Sequence, residues 1–552
     1  MDRQASAGQG DAATSPATPA GPPWAALLGE ADAMRAMHLR ALFLEDANRG
    51  ERLTLEAAGW YLDYSKQRVT PATLQWLVEL ATERGVRARI DAMFNGEAIN
   101  VSEHRSALHT ALRLPAGASM QIDGREVAPA VQRVRNRMAE WANAVRAGTC
   151  LGGTGKPIRN IVNVGIGGSA IGVEMACAAL QHYAQPGLNI RFVSNMDGAD
   201  FQQATHDLDA RETLFVLCSK SWHTAETRYN AAAARAWCRE SMHDESAVAA
   251  HFLAVTGNPS AAIQEGIAPF RVFDIWDWVN GRFSLCSAMG FTLMAAIGPE
   301  GFDDMLAGCH QMDMHFHDAP LARNLPVMHA LLSVWNNNFL DARTVAILPY
   351  DHYLRRFPSY VQQLMMESNG KSVTQDGADV AGHTSPVYWG ASGTNGQHSF
   401  HQLLHQGSQC VPCDFIGFLT PLAASPRQHD ALLANMFAQA EALAFGQPVA
   451  DGGAAAPAAR HRHVAGNRPS NTLLAKRLTP RTLGALVALY EHSAFTQGVI
   501  WNIDSFDQWG VELGKTLALR IVQELEAGTT GMQNHDSSTR TLMQKTLDAR
   551  LG

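Results

Sequence analysis

The sequence predicts an α/β protein with two tandem parallel-sheet α/β subdomains and additional N- and C-terminal helices. The first indication is an alternation of short apolar runs and helical stretches from about residue 158, typical of parallel strands joined by crossover helices. The second is that this alternation starts again near residue 327. The third is helical apolar spacing on both sides, in residues 24–147 and 509–550.

Composition indicates a globular protein of a reducing compartment. The 552 residues are 46% hydrophobic and 17% charged, enough for a large core and two or more domains. A formal charge of -8 without a long basic run argues against nucleic acid or a membrane surface as a partner. No apolar run reaches the roughly 18 residues of a membrane span. The eight cysteines indicate reduced thiols and a cytoplasmic location, and Cys410 and Cys413 lack the second pair that a zinc site needs.

The chain divides into five predicted segments. Residues 1–23 are rich in Ala, Gly, Pro, Ser and Thr and lack the features of a signal peptide, so they are predicted to be a flexible tail. Four segments follow: a helical N-terminal region at 24–150 that packs on the second α/β domain, a first α/β domain at 151–300, a second at 301–520 and a C-terminal helical arm at 521–552. The second domain contains a predicted loop insertion at about 448–466.

Each α/β domain has its own predicted strands. In the first domain they lie at 158–164, 189–193, 213–218, 252–256 and 271–273. In the second domain they lie at 344–348, 386–389 and 414–419. Helices are predicted in the second domain at 327–339 and 359–368. A further helix is predicted to begin at about residue 395, and a long one to end at residue 445. Two more helices are predicted at 509–527 and 536–550.

The predicted helix at 359–368 carries the first candidate for chemistry. Tyr360, Leu364 and Glu367 share one face of it, which puts an acid on the side expected to be apolar. Burial and the negative end of the helix dipole both oppose ionisation of Glu367, so this carboxyl is predicted to transfer protons near neutral pH. The alternative is a half-exposed glutamate bonded to a backbone amide or to Lys371.

A glycine-rich segment after the first strand is a candidate for binding. Gly165-x-Gly167-x-x-Ala170 lies between a strand and a helix, as in dinucleotide-binding folds, and Asp197 follows the next strand, where a ribose-binding acid is found. Taken alone, this pattern predicts a dehydrogenase. The same geometry serves any phosphate-bearing ligand, because glycine lets backbone amides and a helix N-terminus approach an anion.

Residues 219–224 favour the smaller, phosphate-bearing ligand. Ser219, Lys220, Ser221 and Thr224 follow the strand at 213–218 and directly precede a helix. Three hydroxyls and one ammonium at such a turn combine charge with directed donors, which suits a single phosphate. The alternative is an ordinary N-cap turn with a surface lysine.

Three further polar segments contain candidate residues. Arg282 stands beside a glycine that allows close backbone approach, so its guanidinium is predicted to hold an oxyanion. His398 is predicted in the first turn of a helix, where the dipole favours a neutral imidazole that can accept or donate a proton. Gln508, Glu512 and Lys515 are predicted on adjacent turns of one helix face. The alternatives are a structural ion pair, a capped surface histidine and a salt bridge between Glu512 and Lys515.

Together these segments resemble one family. Residues 279–290 (V-N-G-R-F-S-L-C-S-A-M-G) and 506–515 (F-D-Q-W-G-V-E-L-G-K) resemble the two signature segments of the glucose-6-phosphate isomerase family, also called the phosphoglucose isomerases. The segments at 164–169, 219–227, 362–371, 393–407 and 466–471 are similar to that family in the same order, and the resemblance runs from about Trp24 to the C-terminus. Departures from the usual residues are Ala170, Ala225, Asn280 and Leu364-Met365, and Ser221 replaces a common threonine.

The resemblance implies two sugar-isomerase (SIS) domains and a homodimer whose active sites are shared between subunits. It implies that His398 with Lys515 opens the sugar ring, and that Glu367 moves a proton between C2 and C1 of the sugar phosphate. It implies that Arg282 stabilises the negative charge of the enediol intermediate. The resemblance also implies a phosphate site at Ser169, Ser219, Lys220, Ser221 and Thr224, and a sugar site at Gly168, Gln363 and Gln508, with no metal and no cofactor.

The expected function is therefore interconversion of glucose 6-phosphate and fructose 6-phosphate, in glycolysis and gluconeogenesis. One alternative is a related isomerase that also accepts mannose 6-phosphate. Another is a non-catalytic regulator that binds a sugar phosphate on the SIS fold. The retained Glu367, His398 and Lys515 argue against that regulator, because a binder needs only the phosphate site. The dehydrogenase is the third alternative.

Overall fold

Two largely parallel sheets form the framework of the protein, whose structure is a computed structural model. It describes residues 21–122, 124–423, 425–447, 457–531 and 534–551. The predicted α/β class is confirmed. Almost all of the predicted tail and residues 448–456 of the predicted insertion lie outside the described residues. The chain forms two compact units, Met1–Ser505 and Phe506–Gly552, whereas the sequence prediction ended the second α/β domain at residue 520.

The N-terminal region combines helices with two short hairpins, which the prediction of a helical region missed. In the first hairpin, Ala58 and Gly59 both have positive φ angles, 48° and 80°, as a tight two-residue turn requires. Each strand of this hairpin has only four residues, too few to reveal a period of two. The elements are α1 (Pro22–Ala36), α2 (Leu39–Glu45), α3 (Arg49–Arg52), β1 (Thr54–Ala57), β2 (Trp60–Asp63), α4 (Pro71–Glu83), α5 (Val86–Phe94), β3 (Gln121–Ile122), β4 (Arg125–Glu126) and α6 (Ala128–Arg146).

The first sheet is parallel throughout. Its five strands were all predicted, with their ends correct to within two residues. Three of these strands are buried along their whole length, as expected for a parallel sheet covered by helices on both faces. The elements are β5 (Asn160–Val164), α7 (Ile171–Ala179), β6 (Asn189–Val193), α8 (Gly198–Thr205), β7 (Thr213–Cys218), α9 (Ala225–Met242), α10 (Glu245–Ala249), β8 (Phe252–Thr256), α11 (Pro259–Gln264) and β9 (Val272–Asp274), followed by α12 (Phe291–Ile297) and α13 (Pro299–Asp318). The strand order is β6-β5-β7-β8-β9.

The second sheet has four parallel strands and an antiparallel edge supplied by the N-terminal hairpin. One parallel strand, at Ser470–Ala475, was not predicted from the sequence. The elements are α14 (Leu325–Val334), β10 (Thr344–Pro349), α15 (Phe357–Gln362), β11 (Val387–Gly390), α16 (Gly393–Gln397), α17 (His401–Gln406), β12 (Cys413–Phe418), α18 (Pro426–Phe445), α19 (Pro457–Arg462), β13 (Ser470–Ala475) and α20 (Pro480–Trp501). The strand order is β1-β2-β13-β12-β10-β11.

The long helix α20 lies at the centre of the larger unit, with nearly all of its residues buried. Both α13 and α14 pack against it. Glycine lets α13 and α20 come close: a Cβ on Gly484 would lie 1.9 Å from the carbonyl oxygen of Met305. A side chain at this position would therefore force the two helices apart.

A buried ion cluster also joins α13 to α20. The guanidinium of Arg113 donates two hydrogen bonds of 2.6 Å to Asp313 and one of 2.5 Å to Glu491. Burial raises the pKa of Glu491 to about 7, because the single guanidinium is shared with Asp313. Removing the arginine would leave two buried acids without their cation, a change that destabilises folded proteins strongly.

The smaller unit contains α21 (Glu512–Glu526) and α22 (Ser537–Leu551), at the predicted helices. None of the residues of α21 is buried, although several are leucines. Among the described residues, no helix combines the length and the apolar run that a membrane crossing needs.

Candidate active site

Two polar loops meet at the point where the first sheet changes direction. β5 lies between β6 and β7, so the chain leaves β5 toward one side for β6 and returns on the other side for β7. In parallel sheets such a point opens a crevice at the carboxyl ends of the strands, where ligands bind. Residues 165–169 follow β5 directly, and residues 219–224, here called the phosphate loop, follow β7 directly.

Two hydroxyls of the phosphate loop contact each other and do not cap the helix that follows. Ser219 Oγ lies 3.1 Å from Thr224 Oγ1 and accepts the backbone N–H of Trp222 at 3.1 Å. Thr224 stands at the N-cap of α9, yet its side chain makes no capping bond. Ser221 Oγ accepts the backbone N–H of His223 at 3.2 Å. The start of an 18-residue helix and the hydroxyls therefore converge as an anion site requires.

Lys220 supplies the positive charge of this loop. It is half-buried, and its Nζ donates to the carbonyl of Asp277 at 2.8 Å. Burial and the neighbouring charge of Arg105 lower the pKa of Lys220 to about 8. This lysine is therefore not the free surface lysine of the alternative interpretation.

The loop after β5 packs tightly against the segment that carries Arg282. A Cβ on Gly168 would lie 2.2 Å from the carbonyl carbon of Gly281, so only glycine fits there. Ser284 Oγ donates to the carbonyl of Gly168 at 3.2 Å. Ser169, next in the chain, is half-buried at the start of the helical segment.

Arg282 and Glu367 form the charged pair of the crevice. Arg282 is 3% exposed, and its Nη1 lies 3.5 Å from Glu367 Oε2. Its Nε donates to Ser368 Oγ at 2.7 Å, and its Nη2 donates to the carbonyl of Ser505 at 2.6 Å. The Glu367 side chain keeps 25% of its surface exposed. A buried cation thus faces a carboxylate that a ligand can still reach.

The helix that carries Glu367 differs from the prediction. It does not continue as an α-helix; the five residues Gln363–Glu367 form a π-helical segment, a feature frequent at functional sites. Tyr360 and Leu364 are buried as predicted, but the wider turn puts Glu367 beside Arg282 and not on the apolar face. Gln363 Nε2 donates to Glu367 Oε2 at 3.0 Å. The Gln363 amide also lies beside Gly167, 3.2 Å from the Cβ position of that glycine.

Comparison with known proteins identifies the family of the chain. The family described as Phosphoglucose isomerase matches residues 63–543 of the chain.

The chain belongs to the phosphoglucose isomerase family.

Relatives in this family are similar over nearly their whole length. A glucose-6-phosphate isomerase of Roseiflexus castenholzii is 58% identical over 527 residues, which is 95% of this chain and 97% of the relative. One from Deinococcus deserti is 56% identical over 537 residues, 96% of this chain and 98% of the relative. The crystal structure of a glucose-6-phosphate isomerase from Chlamydia trachomatis matches with a TM-score of 0.85 and 33% identity, covering 96% of this chain and 99% of that one.

Within the described part of this phosphoglucose isomerase fold, His398 makes no hydrogen bond with the Arg282–Glu367 pair. The prediction of a first-turn position is wrong: α16 begins at Gly393, so His398 follows the last residue of the helix. The reason is that the Gly-Thr-Asn-Gly segment itself forms the helix. His398 is exposed, and its imidazole has no hydrogen-bond partner in the part of the chain that the structure describes.

Two predicted residues belong to the smaller unit. Lys515 Nζ lies 2.7 Å from Glu512 Oε1, with both side chains exposed, which is the salt bridge of the alternative interpretation. Gln508 precedes a short turn at Trp509–Val511, and α21 begins only at Glu512. That Gln508 lines the sugar, and that Lys515 acts with His398 in ring opening, stay predictions.

The sequence reasoning missed two polar residues beside the candidate site. Ser368 and Asn369 are both fully buried. Asn369 Oδ1 accepts the Ser505 hydroxyl at 2.7 Å, and its Nδ2 donates to the carbonyl of Ala494 at 2.9 Å. Polar residues directly after a candidate base were the available signal. Asp197, the possible ribose-binding acid, instead caps α8 by accepting the N–H of Ala199 at 3.0 Å.

Proposed function

We propose that this chain interconverts glucose 6-phosphate and fructose 6-phosphate. The observation that carries the proposal is the contact of 3.5 Å between Arg282 and Glu367, at the edge of a crevice with a phosphate loop. Aldose–ketose exchange needs one base that can reach two adjacent carbons and one cation near the oxygen that gains charge. Glu367 and Arg282 supply these two groups.

The phosphate loop and its neighbours hold the substrate in this proposal. Ser219, Lys220, Ser221 and Thr224, together with Ser169, bind the phosphate through hydroxyls, an ammonium and the start of α9. Gly168, Gln363 and Gln508 line the sugar. Because the phosphate anchors one end, C1 and C2 are held at a fixed distance from Glu367.

The chemical step moves one carbon-bound proton and one hydroxyl proton within the substrate and leaves the redox state of the whole molecule unchanged. Glu367 takes the proton from C2 of the open-chain aldose, and the electron pair of that bond forms the enediol. The proton of the C2 hydroxyl passes to the C1 oxygen, the carboxyl returns the carbon-bound proton to C1, and the C2 oxygen becomes the ketone. Arg282 stabilises the negative oxygen in between. This proton transfer within the substrate requires no metal and no nucleotide.

Ring opening is assigned to His398 and Lys515, with His398 acting in the site of a partner subunit. Two observations support a homodimer. His398 is exposed and lacks a hydrogen-bond partner among the described residues. In addition, Trp509, Leu513 and Leu519 are 60%, 69% and 57% exposed, an apolar surface that a second copy of the chain would cover.

The shared site can be tested by mixing two inactive variants, Glu367→Gln and His398→Gln, co-expressed with different tags. If the site takes Glu367 and His398 from different subunits, each mixed dimer contains one intact site. Purified mixed dimers should then recover about half of the wild-type activity. If both residues act within one subunit, every site keeps one defect and no activity returns. Each variant paired with itself is the control.

Turnover itself is tested by an assay coupled to glucose-6-phosphate dehydrogenase, with fructose 6-phosphate as substrate. Conversion would support the isomerase, and binding without conversion would favour the regulator. The same protein incubated with mannose 6-phosphate tests broader specificity, and calorimetric titration with NAD tests the dehydrogenase. We place the activity in glycolysis and gluconeogenesis in the cytoplasm, with SIS domains at 151–300 and 301–520.

A further inference from the structure

A cavity of about 300 Å³ lies on the far side of the phosphate loop, between that loop and α9. Its walls include Ser219 and Trp222 of the loop and Thr227 and Arg228 of the helix. Of the residues proposed above to bind substrate, only Ser219 lines it. The cavity is thus a separate space at the lower end of the size range of ligand pockets.

A buried hydroxyl in this cavity lacks a partner. Thr227 is 5% exposed, and its Oγ1 makes no hydrogen bond within the described residues. Threonine in a helix commonly bonds the carbonyl one turn earlier, which Thr227 does not do. A buried hydroxyl without a partner costs free energy, so the wall of the cavity at Thr227 is not fully satisfied in this structure.

The charge of the cavity is positive. Arg228 and Arg235 line it together with one acid, Glu265. The carboxylate of Glu265 already accepts the indole N–H of Trp222 at 3.0 Å. Arg235 lies 4.7 Å from the ring centre of Phe252, and burial lowers the pKa of this arginine. The Arg228 guanidinium has neither an acidic nor a hydrogen-bond partner among the described residues, so it is open to an anion.

Trp222 connects the cavity to the phosphate loop. Its φ angle is +63°, a conformation that is strained for a bulky residue. Its backbone N–H donates to Ser219 Oγ at 3.1 Å, and its ring forms an apolar wall of the cavity. A ligand that packs on this ring therefore presses on the residue that positions the Ser219 hydroxyl.

We propose that this cavity binds a small organic carboxylate with a flat apolar body, and that the bound ligand changes the affinity of the phosphate loop. The carboxylate pairs with Arg228, whose guanidinium lies at the cavity without an acidic partner among the described residues. The apolar body packs on Trp222 and on the small side chains of Ala231 and Ala232, which also line the cavity. The effect on the phosphate loop rests on the proposed function, whereas binding itself does not.

Calorimetric titration of the full chain with benzoate tests the site. We expect a dissociation constant of about 1 mM, with binding at least about tenfold weaker for neutral benzamide, which has the same shape without the charge. Arg228→Gln should weaken benzoate binding about tenfold, and Ala232→Phe should abolish it by filling the cavity. Arg239→Gln is the matched control: it removes an exposed guanidinium of the same helix that is paired with Glu245 and does not line the cavity.

Two variants distinguish benzoate binding in the cavity from benzoate binding at the phosphate loop. Lys220→Gln should leave benzoate binding within about twofold, because Lys220 does not line the cavity. If Lys220→Gln abolishes binding and Arg228→Gln does not, benzoate occupies the phosphate loop and the proposal is overturned. Absence of benzoate binding at about 10 mM, or equal binding of benzamide, also overturns it. Melting curves of the variants establish that they are folded.

The coupling to the phosphate loop is measured in the isomerase assay. Benzoate at about 5 mM should change the KM for fructose 6-phosphate several-fold in the wild type and leave it unchanged in Arg228→Gln. Unchanged kinetics with calorimetric binding intact would remove the coupling and leave the site. Absence of isomerase activity altogether would contradict the proposed function without affecting the binding result.

Discussion

The two sheets of this protein share a strand order but place different residues at the same point. β11-β10-β12-β13 repeats the order of β6-β5-β7-β8, so each sheet has a crevice between two parallel strands. Directly after β5 comes Gly165, whereas Tyr350 comes directly after β10. The Tyr350 ring is buried and packs against Gly393, where a Cβ would lie 2.3 Å from the ring. The second crevice is therefore filled by a side chain.

The two crevices also differ in the charge of their residues. The first has Lys220 and Arg282, while the second has Asp351, whose pKa burial raises. An acid at that position opposes binding of a phosphate. The second half instead supplies Glu367, beyond β10, and His398, beyond β11. Topology thus provides two corresponding points in the sheets, and the residues after the strands make them differ in space and charge. This difference underlies the proposed division into an anion site and proton-transfer groups.

Replacing the base of the second half should have the largest effect. Glu367→Gln keeps the size of the side chain and removes its ability to take a proton, so kcat should fall about 100-fold or more with KM little changed. The coupled assay measures both constants. A kcat near that of the wild type would contradict the division of labour between the halves.

Replacing the cation of the first half should affect binding instead. Lys220→Gln removes a charged hydrogen-bond donor from the phosphate loop, so KM should rise about 10- to 100-fold while kcat changes little. Lys156→Gln is the matched control, since this half-exposed lysine pairs with Asp209 outside the site. A loss confined to kcat would show that the first half does more than bind.

The pH dependence of kcat/KM should follow the titration of Lys220. Its pKa of about 8 is below the usual value, so the ammonium carries its charge below pH 8 and loses it as pH rises through 8. The specificity constant kcat/KM should fall about tenfold between pH 7 and pH 9. Lys220→Arg should flatten this fall because a guanidinium stays charged. An unaltered fall in that variant would assign the titration to another group.

Removing the hydrogen bond that links the two halves should have the smallest effect. Ser368 belongs to the helix of the second half, and its hydroxyl accepts Nε–H of Arg282 from the first half at 2.7 Å. Ser368→Ala should lower kcat about fivefold, because the guanidinium loses one of its fixed partners. Ser368→Thr should restore much of the rate, and Ser359→Ala, at an exposed position on the same helix, should leave it unchanged.

The sequence predicted the elements whose pattern is local. Three strands of the first sheet are apolar runs buried along their whole length, and all five strands of this sheet were predicted. β13 was missed because it begins with Ser, Asn and Thr; Asn471 donates to buried Asp414 at 2.9 Å, a partner that only the fold reveals. The sequence prediction does not include α20, since a helix buried on all sides has no polar stripe to mark it.

The candidate site, too, was predicted only where the local sequence indicates it. Arg282, Glu367 and the phosphate loop were predicted from residue types that suit their chemistry, and the structure places Arg282 beside Glu367. The position of His398 was predicted wrongly, because glycines that suggested a loop form α16. The π-helical segment could not be predicted, since the wider turn depends on packing by distant residues and not on local propensity.

This widened turn amounts to one surplus residue in an otherwise regular helix. Upstream residues keep their buried packing, and downstream residues are rotated by about 100° relative to an uninterrupted α-helix. Deleting a single residue between Tyr360 and Glu367 would let the helix regularise without losing a hydrogen-bonded turn. The Glu367 carboxylate would then stay beside the Arg282 guanidinium, because the residues after the deletion keep their places. The undeleted sequence wound as a regular α-helix would instead turn Glu367 away from Arg282.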